Sequence, residues 1–291
     1  MRTTGFRVMR KAAVNVVLIL WLTMSCAARQ GAAQQLAARA GQQALAIATQ
    51  TAEPKTVPTP GIPPTGFTGL DNYRASRIAM FTDDYGQLAR YRAADAELLN
   101  AGPVKDRVVF FGDSITDIWK LQNYFPGKPY VNRGISGQTT PQMLLRFRQD
   151  VIDLKPRAVV ILAGTNDIAG NTGPMTNEEI QGNLASMSDL AHAHNIKVVL
   201  ASITPVSEYH VRPNLPPQTT ARPMDRIKAM NEWIKSYATS HGDVYLDYFS
   251  AMIDDKGLMR AELTEYDLHP NAKGYAIMGP LAEAAIARAL K

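Results

Sequence analysis

The run Val108-Val109-Phe110-Phe111 stops abruptly at Gly112-Asp113-Ser114. Four consecutive β-branched and aromatic residues with no polar alternation leave no face for water. They therefore predict a strand of a parallel sheet that is covered on both sides. Ligands of such sheets bind beyond the carboxyl ends of the strands, so a serine delivered at that end stands where chemistry happens. On this stretch alone, Ser114 reads equally well as the cap of a following helix, Ile115 to Leu121.

The rest of the chain repeats the pattern. Further strands are predicted at Tyr130 to Asn132, Ala158 to Gly164, Lys197 to Ser202 and Val244 to Tyr248. Between them lie helical stretches. One opens at Thr139-Thr140-Pro141 and runs to about Leu154, with proline in its first turn. Another opens at Thr176-Asn177-Glu178-Glu179 and runs to about His194. Met224 to Thr239 and Ala272 to Leu290 follow. Ahead of the first strand, Tyr85, Leu88, Tyr91, Ala94, Leu98 and Leu99 predict one packing helix within Asp71 to Asn100. Alternating strands and helices imply right-handed crossovers and a parallel sheet with helices on both faces.

The amino-terminal part is of a different kind. Arg2, Arg7, Arg10 and Lys11 precede an apolar run, Ala12 to Met24, and then the small residues Ser25, Cys26, Ala27 and Ala28. That is the layout of an export signal. The run is shorter than the ~20 residues that span a bilayer. Residues 1–27 are therefore expected to be the signal, which places the protein in the periplasm, on the envelope or outside the cell. Two processing modes fit: ordinary cleavage after Ala27, or lipidation at Cys26, whose preceding residues match a lipobox imperfectly because Thr23 stands where leucine is usual. Lipidation at Cys26 is the one membrane attachment this reading allows. Residues 28–69, rich first in Ala and Gln and then in Pro, form a linker, and residues 70–291 the folded domain.

Composition narrows the functional classes. With 46% hydrophobic residues the chain has ample apolar material for a core. Its one cysteine excludes an intramolecular disulfide and a Cys-based zinc site. The net charge of +5 falls to about +1 without the four leader cations, so no nucleic-acid footprint is expected. His192 and His194 are two apart on a helix and face away from each other, Asp83-Asp84 and Asp254-Asp255 read as solvated loop charges, and no metal site is predicted.

Four strand ends carry polar motifs: Gly112-Asp113-Ser114, Asn132-Arg133-Gly134-Ile135-Ser136-Gly137, Gly164-Thr165-Asn166-Asp167 and Asp267-Leu268-His269-Pro270. In this order and spacing they resemble the four blocks of the SGNH (GDSL-type) hydrolases, over roughly Arg107 to Lys291. The resemblance implies a flavodoxin-like three-layer α/β/α sandwich on a five-stranded parallel sheet. It also implies a serine esterase that hydrolyses carboxylic esters through an acyl-enzyme and needs no cofactor.

Carried over residue by residue, Ser114 is the nucleophile and His269 its base. The backbone N–H groups of Ser114 and Gly137 and the amide of Asn166 form the oxyanion hole. The chemistry fits: a serine hydroxyl needs a base within reach, a neutral imidazole supplies one, and an amide donates where a carboxylate cannot. Asn132 and Gly134 shape the second loop, and Ser136 stands in it without a role of its own. The acid departs from the pattern. The family carries Asp three residues before the histidine, where this chain has Tyr266. Asp267, two before, is taken as the residue that orients His269, with Glu265 or a backbone carbonyl as fallback in a Ser–His dyad.

The loops Trp119 to Pro129, Ile168 to Thr176 and Thr204 to Pro223 are the expected specificity determinants, and Tyr124, Tyr130 and Tyr209 are candidates for stacking a sugar ring. The partner is an acyl ester, either a small molecule or an acylated polysaccharide as in a carbohydrate deacetylase, or a lysophospholipase or arylesterase substrate. The alternative is a non-catalytic carbohydrate- or envelope-binding protein on the same fold, with Tyr266 marking a degraded triad.

Overall fold

The structure, a computed structural model, describes residues 68–210 and 214–291. The expected export signal, the site at Cys26 and the linker up to residue 67 lie outside the described residues. The elements are α1 (Thr68–Asp83), α2 (Arg92–Asn100), β1 (Val108–Gly112), α3 (Ser114–Asp117), α4 (Leu121–Tyr124), β2 (Tyr130–Gly134), α5 (Thr140–Phe147), β3 (Ala158–Leu162), α6 (Thr165–Ile168), α7 (Asn177–Ala193), β4 (Lys197–Ala201), α8 (Gln218–Ala221), α9 (Met224–His241), β5 (Val244–Leu246), α10 (Phe249–Met252) and α11 (Ala272–Ala289).

All five strands are parallel, in the order β2-β1-β3-β4-β5. Alternate side chains of β1 leave on opposite faces. Val109 and Phe111 join a core with Met143 and Phe147 of α5 and residues of α7 and α9. Val108 and Phe110 join a second core with Trp119, Phe125 and the buried face of α11. The result is the expected three-layer α/β/α sandwich. Each large side chain so buried contributes roughly 1.5–3 kcal/mol, which is why β1 tolerates no polar residue before Gly112.

The expected packing helix of Asp71 to Asn100 is in fact two. Asp84 breaks it: its carboxylate accepts the N–H groups of Leu88 (2.8 Å) and Ala89 (2.9 Å), and Gln87 takes φ +53°. The side chain thus competes successfully with the helix ladder. The helix that opens at Pro141 ends its α-helical part at Phe147, and a π-helical turn, Arg148–Ile152, carries it on. The cap at Thr176 forms as a reciprocal box: Glu179 N–H donates to Thr176 Oγ1 (3.2 Å) and Thr176 N–H to Glu179 Oε2 (2.7 Å).

The sheet order reverses between β1 and β3, because β2 lies to one side of β1 and all later strands to the other. That switch point opens a crevice between the loops after β1 and β3. Gly112 is in register with Gly134 of β2 and Leu162 of β3, so three of the four polar motifs leave the sheet at one level. Among the described residues no helix is long and apolar enough to cross a membrane.

Candidate active site

Ser114 stands where β1 gives way to α3. The helix is capped by the preceding residue, since Asp113 accepts the N–H of Ile115 at 2.9 Å. Capping, the competing reading of Ser114, therefore falls to Asp113, and the Ser114 side chain is left for another task. Burial of Asp113 pushes its carboxyl up to about 7, with the Ile115 N–H and the charge of Arg222 opposing and Asp167 adding to the rise.

His269 reaches the same place from the far edge of the sheet. Its loop is short and closed at both ends: Thr264 bridges Pro270, and Asn271 N–H donates to Leu263 O at 2.8 Å. Asn271 then caps α11 by accepting Lys273 N–H (2.9 Å) and Gly274 N–H (3.2 Å). This frame sets His269 Nε2 2.8 Å from Ser114 Oγ. An imidazole at that distance can take the hydroxyl proton and return it to a leaving group.

Gly137 and Asn166 line the crevice from the loops after β2 and β3. Gly137 has φ +81°, and a side chain there would overlap the Tyr73 hydroxyl of α1. Glycine is required on both counts. Its carbonyl accepts Asn171 Nδ2 at 3.0 Å. Asn166 donates from Nδ2 to Gln138 O (3.0 Å), and Arg222 reaches its Oδ1 at 3.4 Å. The two loops are thereby joined through these residues. Asn132 shapes the second loop as expected, donating to Thr116 O (2.6 Å) and Trp119 O (2.9 Å) and accepting Gly134 N–H (2.8 Å). Ser136 donates to Asp117 Oδ2 (2.6 Å), which commits its hydroxyl to the scaffold.

Asp267 adopts φ +65°, a left-handed turn that Asp tolerates better than most residues. Its carboxylate accepts Ser207 Oγ (2.6 Å), Tyr209 N–H (3.1 Å) and His210 N–H (2.7 Å), and lies 3.0 Å from His210 Nδ1. Burial pulls this carboxyl upward, but the donors from Ser207, His210 and Tyr209 outweigh it and hold it below the usual range. Glu265 is exposed and Asp267 buried.

The three expected specificity loops play different parts. Residues 168–175 and α1 enclose a cleft of about 530 Å³, lined among others by Arg74, Ile78, Phe81, Asn171, Met175 and Arg226. Trp119, Phe125 and Tyr130 pack instead with Phe110 in an aromatic cluster, and Tyr130 donates to Glu283 at 2.8 Å. Tyr130 is thus a packing residue. The third loop ends in Arg222, buried behind Asn166. Sequence reasoning missed Arg222, Gln138, Asn171 and Tyr73. The one available signal was Arg222-Pro223 at a helix start, and it said nothing of where the guanidinium points.

The fold is a three-layer sandwich of the SGNH hydrolase kind, and the family model agrees. The chain belongs to the GDSL-like Lipase/Acylhydrolase family, whose model matches residues 110–277. Among solved structures, the chain is similar to a GDSL-like lipase of Bacteroides thetaiotaomicron at 38% identity, covering 71% of this chain and 100% of that one with a TM-score of 0.64. A proposed acylhydrolase of Bacteroides fragilis gives 37% identity over 72% of this chain and 100% of that one, TM-score 0.65. An acetylxylan esterase of Geobacillus stearothermophilus shares the fold at 22% identity and TM-score 0.52, covering 63% of this chain and 95% of that one. A curated relative, the uncharacterized lipoprotein YqeF of Bacillus subtilis, is 33% identical over 120 residues, 35% of this chain. The chain spans about half the length of that relative, 49%.

Proposed function

We propose that the protein is a serine esterase that cleaves carboxylic esters through an acyl-enzyme. The observation that carries this is the 2.8 Å contact between Ser114 Oγ and His269 Nε2, at the switch point of a sheet whose neighbouring loops supply Gly137 and Asn166. Ser114 attacks the ester carbonyl while His269 takes its proton, then returns it to the departing alcohol. The negative oxygen that forms is met by the N–H groups of Ser114 and Gly137 and by Asn166 Nδ2, donors worth ~2.7–4 kcal/mol each in comparable hydrolases. Water then repeats the cycle on the acyl-enzyme.

In this reading Asp267 is the acid of the triad. Held ionised by Ser207, Tyr209 and His210, it favours the imidazolium that His269 becomes during attack. The cleft of about 530 Å³ beside Asn171 receives the bulk of the substrate. The export layout of residues 1–27 and the lipoprotein relative support an envelope location and an acylated polysaccharide or small envelope ester as substrate. The test is Ser114→Ala, which abolishes hydrolysis of p-nitrophenyl acetate while circular dichroism and melting stay those of the wild type. A wild-type protein inactive on every short ester overturns the reading.

A further inference from the structure

We infer that Arg222 is the positioning residue of the oxyanion hole: it fixes which way the Asn166 amide points and polarises it toward the reacting oxygen. The inference rests on the esterase reading above. A side-chain amide turned by 180° exchanges donor for acceptor with almost no change in shape, so packing alone cannot set its direction. Chemistry sets it here. A guanidinium can only donate and a carbonyl can only accept. Arg222 Nη2 faces Asn166 Oδ1 at 3.4 Å, and Gln138 O faces Nδ2 at 3.0 Å. A turned amide would set donor against donor and acceptor against acceptor. The second hydrogen of Nδ2 is thus left to point into the crevice.

Arg222 is itself held with unusual completeness. Its Nε donates to Thr165 O (3.1 Å) and Thr165 Oγ1 (3.0 Å), and its Nη1 to Gln218 Oε1 (2.6 Å). It is 6% exposed, and those partners are all neutral. Burying a cation among neutral acceptors costs stability, and burial drags its pKa down to about 10 in spite of the charge of Asp113. That cost has a use at a site where negative charge develops. A cation on Oδ1 draws electrons through the amide and strengthens Nδ2–H as a donor.

The experiment is a double-mutant cycle on p-nitrophenyl acetate with Arg222→Gln, Asn166→Ala and the pair, with melting temperatures measured alongside. Arg222→Gln is expected to lower kcat roughly 10–100-fold with KM within about threefold. In the Asn166→Ala background it costs less than about threefold, because the amide it directs is gone. Should Arg222→Gln not fold, Arg222→Lys serves in the same cycle: one ammonium cannot span Thr165, Gln218 and Asn166 together, and the same non-additivity is expected. Wild-type activity that vanishes in Ser114→Ala secures the underlying esterase reading. Against that background, an additive cycle, or a loss confined to KM, overturns the role of Arg222 alone.

Discussion

Arg146 Nη2 donates to the carbonyl of Gly112 at 2.9 Å, tying α5 to the last residue of β1. The same guanidinium holds Arg133 O (2.8 Å), Gln138 Oε1 (2.6 Å) and Asp150 Oδ2 (2.8 Å), and is wholly buried. The ends of β1 and β2 and the loop that bears Gly137 are therefore indexed to one side chain.

Replacing it tests that arrangement. Arg146→Met takes from Asp150 its buried cation and strips the Gly112, Arg133 and Gln138 carbonyl oxygens of a donor. The expected loss is about 3–5 kcal/mol in urea unfolding. Adding Asp150→Leu recovers a large part of it, since the uncompensated charge is gone. A single variant as stable as the wild type contradicts the assigned role.

Asp113 gives a prediction in pH. Its carboxyl is raised to about 7 by burial, whereas in the unfolded chain it titrates near 3.9. Between about pH 4 and 7 the folded protein thus holds a proton that the unfolded chain has released, and stability from this group falls as pH rises through that window. The decline amounts to at most about 4 kcal/mol, at about 1.4 kcal/mol for each pH unit crossed. Asp113→Asn keeps an acceptor for Ile115 N–H and removes the titration. Its stability relative to wild type is expected to climb from pH 4.5 to 7.5. Parallel stability curves for the two proteins would show that the buried carboxyl does not titrate in this window.

The third prediction separates the two acids that precede His269 in the chain. Asp267→Ala removes a buried carboxylate with four donors around it, and Glu265→Ala removes an exposed one. The first is expected to lower kcat by roughly 10²–10⁴-fold, the second by less than about twofold. Equal small losses in initial-rate kinetics point to a Ser–His dyad.

The scaffold of the site was legible in the sequence for a simple reason. Val108 to Phe111 and Ala158 to Leu162 are continuous apolar runs, and a polar motif begins where each ends, so local pattern placed Ser114 and Asn166 at strand ends, while the family resemblance supplied their expected roles. His269 followed because its block completed a set. What escaped was everything that depends on partners distant in the chain. The burial of Arg146 and Arg222 depends on acceptors at Gly112 and Thr165, 34 and 57 residues away, which no local pattern announces. The break at Asp84 was hidden for another reason. The apolar spacing of Tyr85 to Leu99 remains helical on paper, and only the side chain of Asp84, competing for two N–H groups, interrupts it.

Ser114 and His269 meet across 155 residues, the first leaving the middle of the sheet and the second arriving after its last edge strand. The serine leaves the sheet at β1, between β2 and β3. The imidazole needs β5, the closed loop at Thr264 and Pro270, and the start of α11. In the proposed esterase, nucleophile and base can therefore meet only once the last sixth of the polypeptide, from β5 onward, has docked.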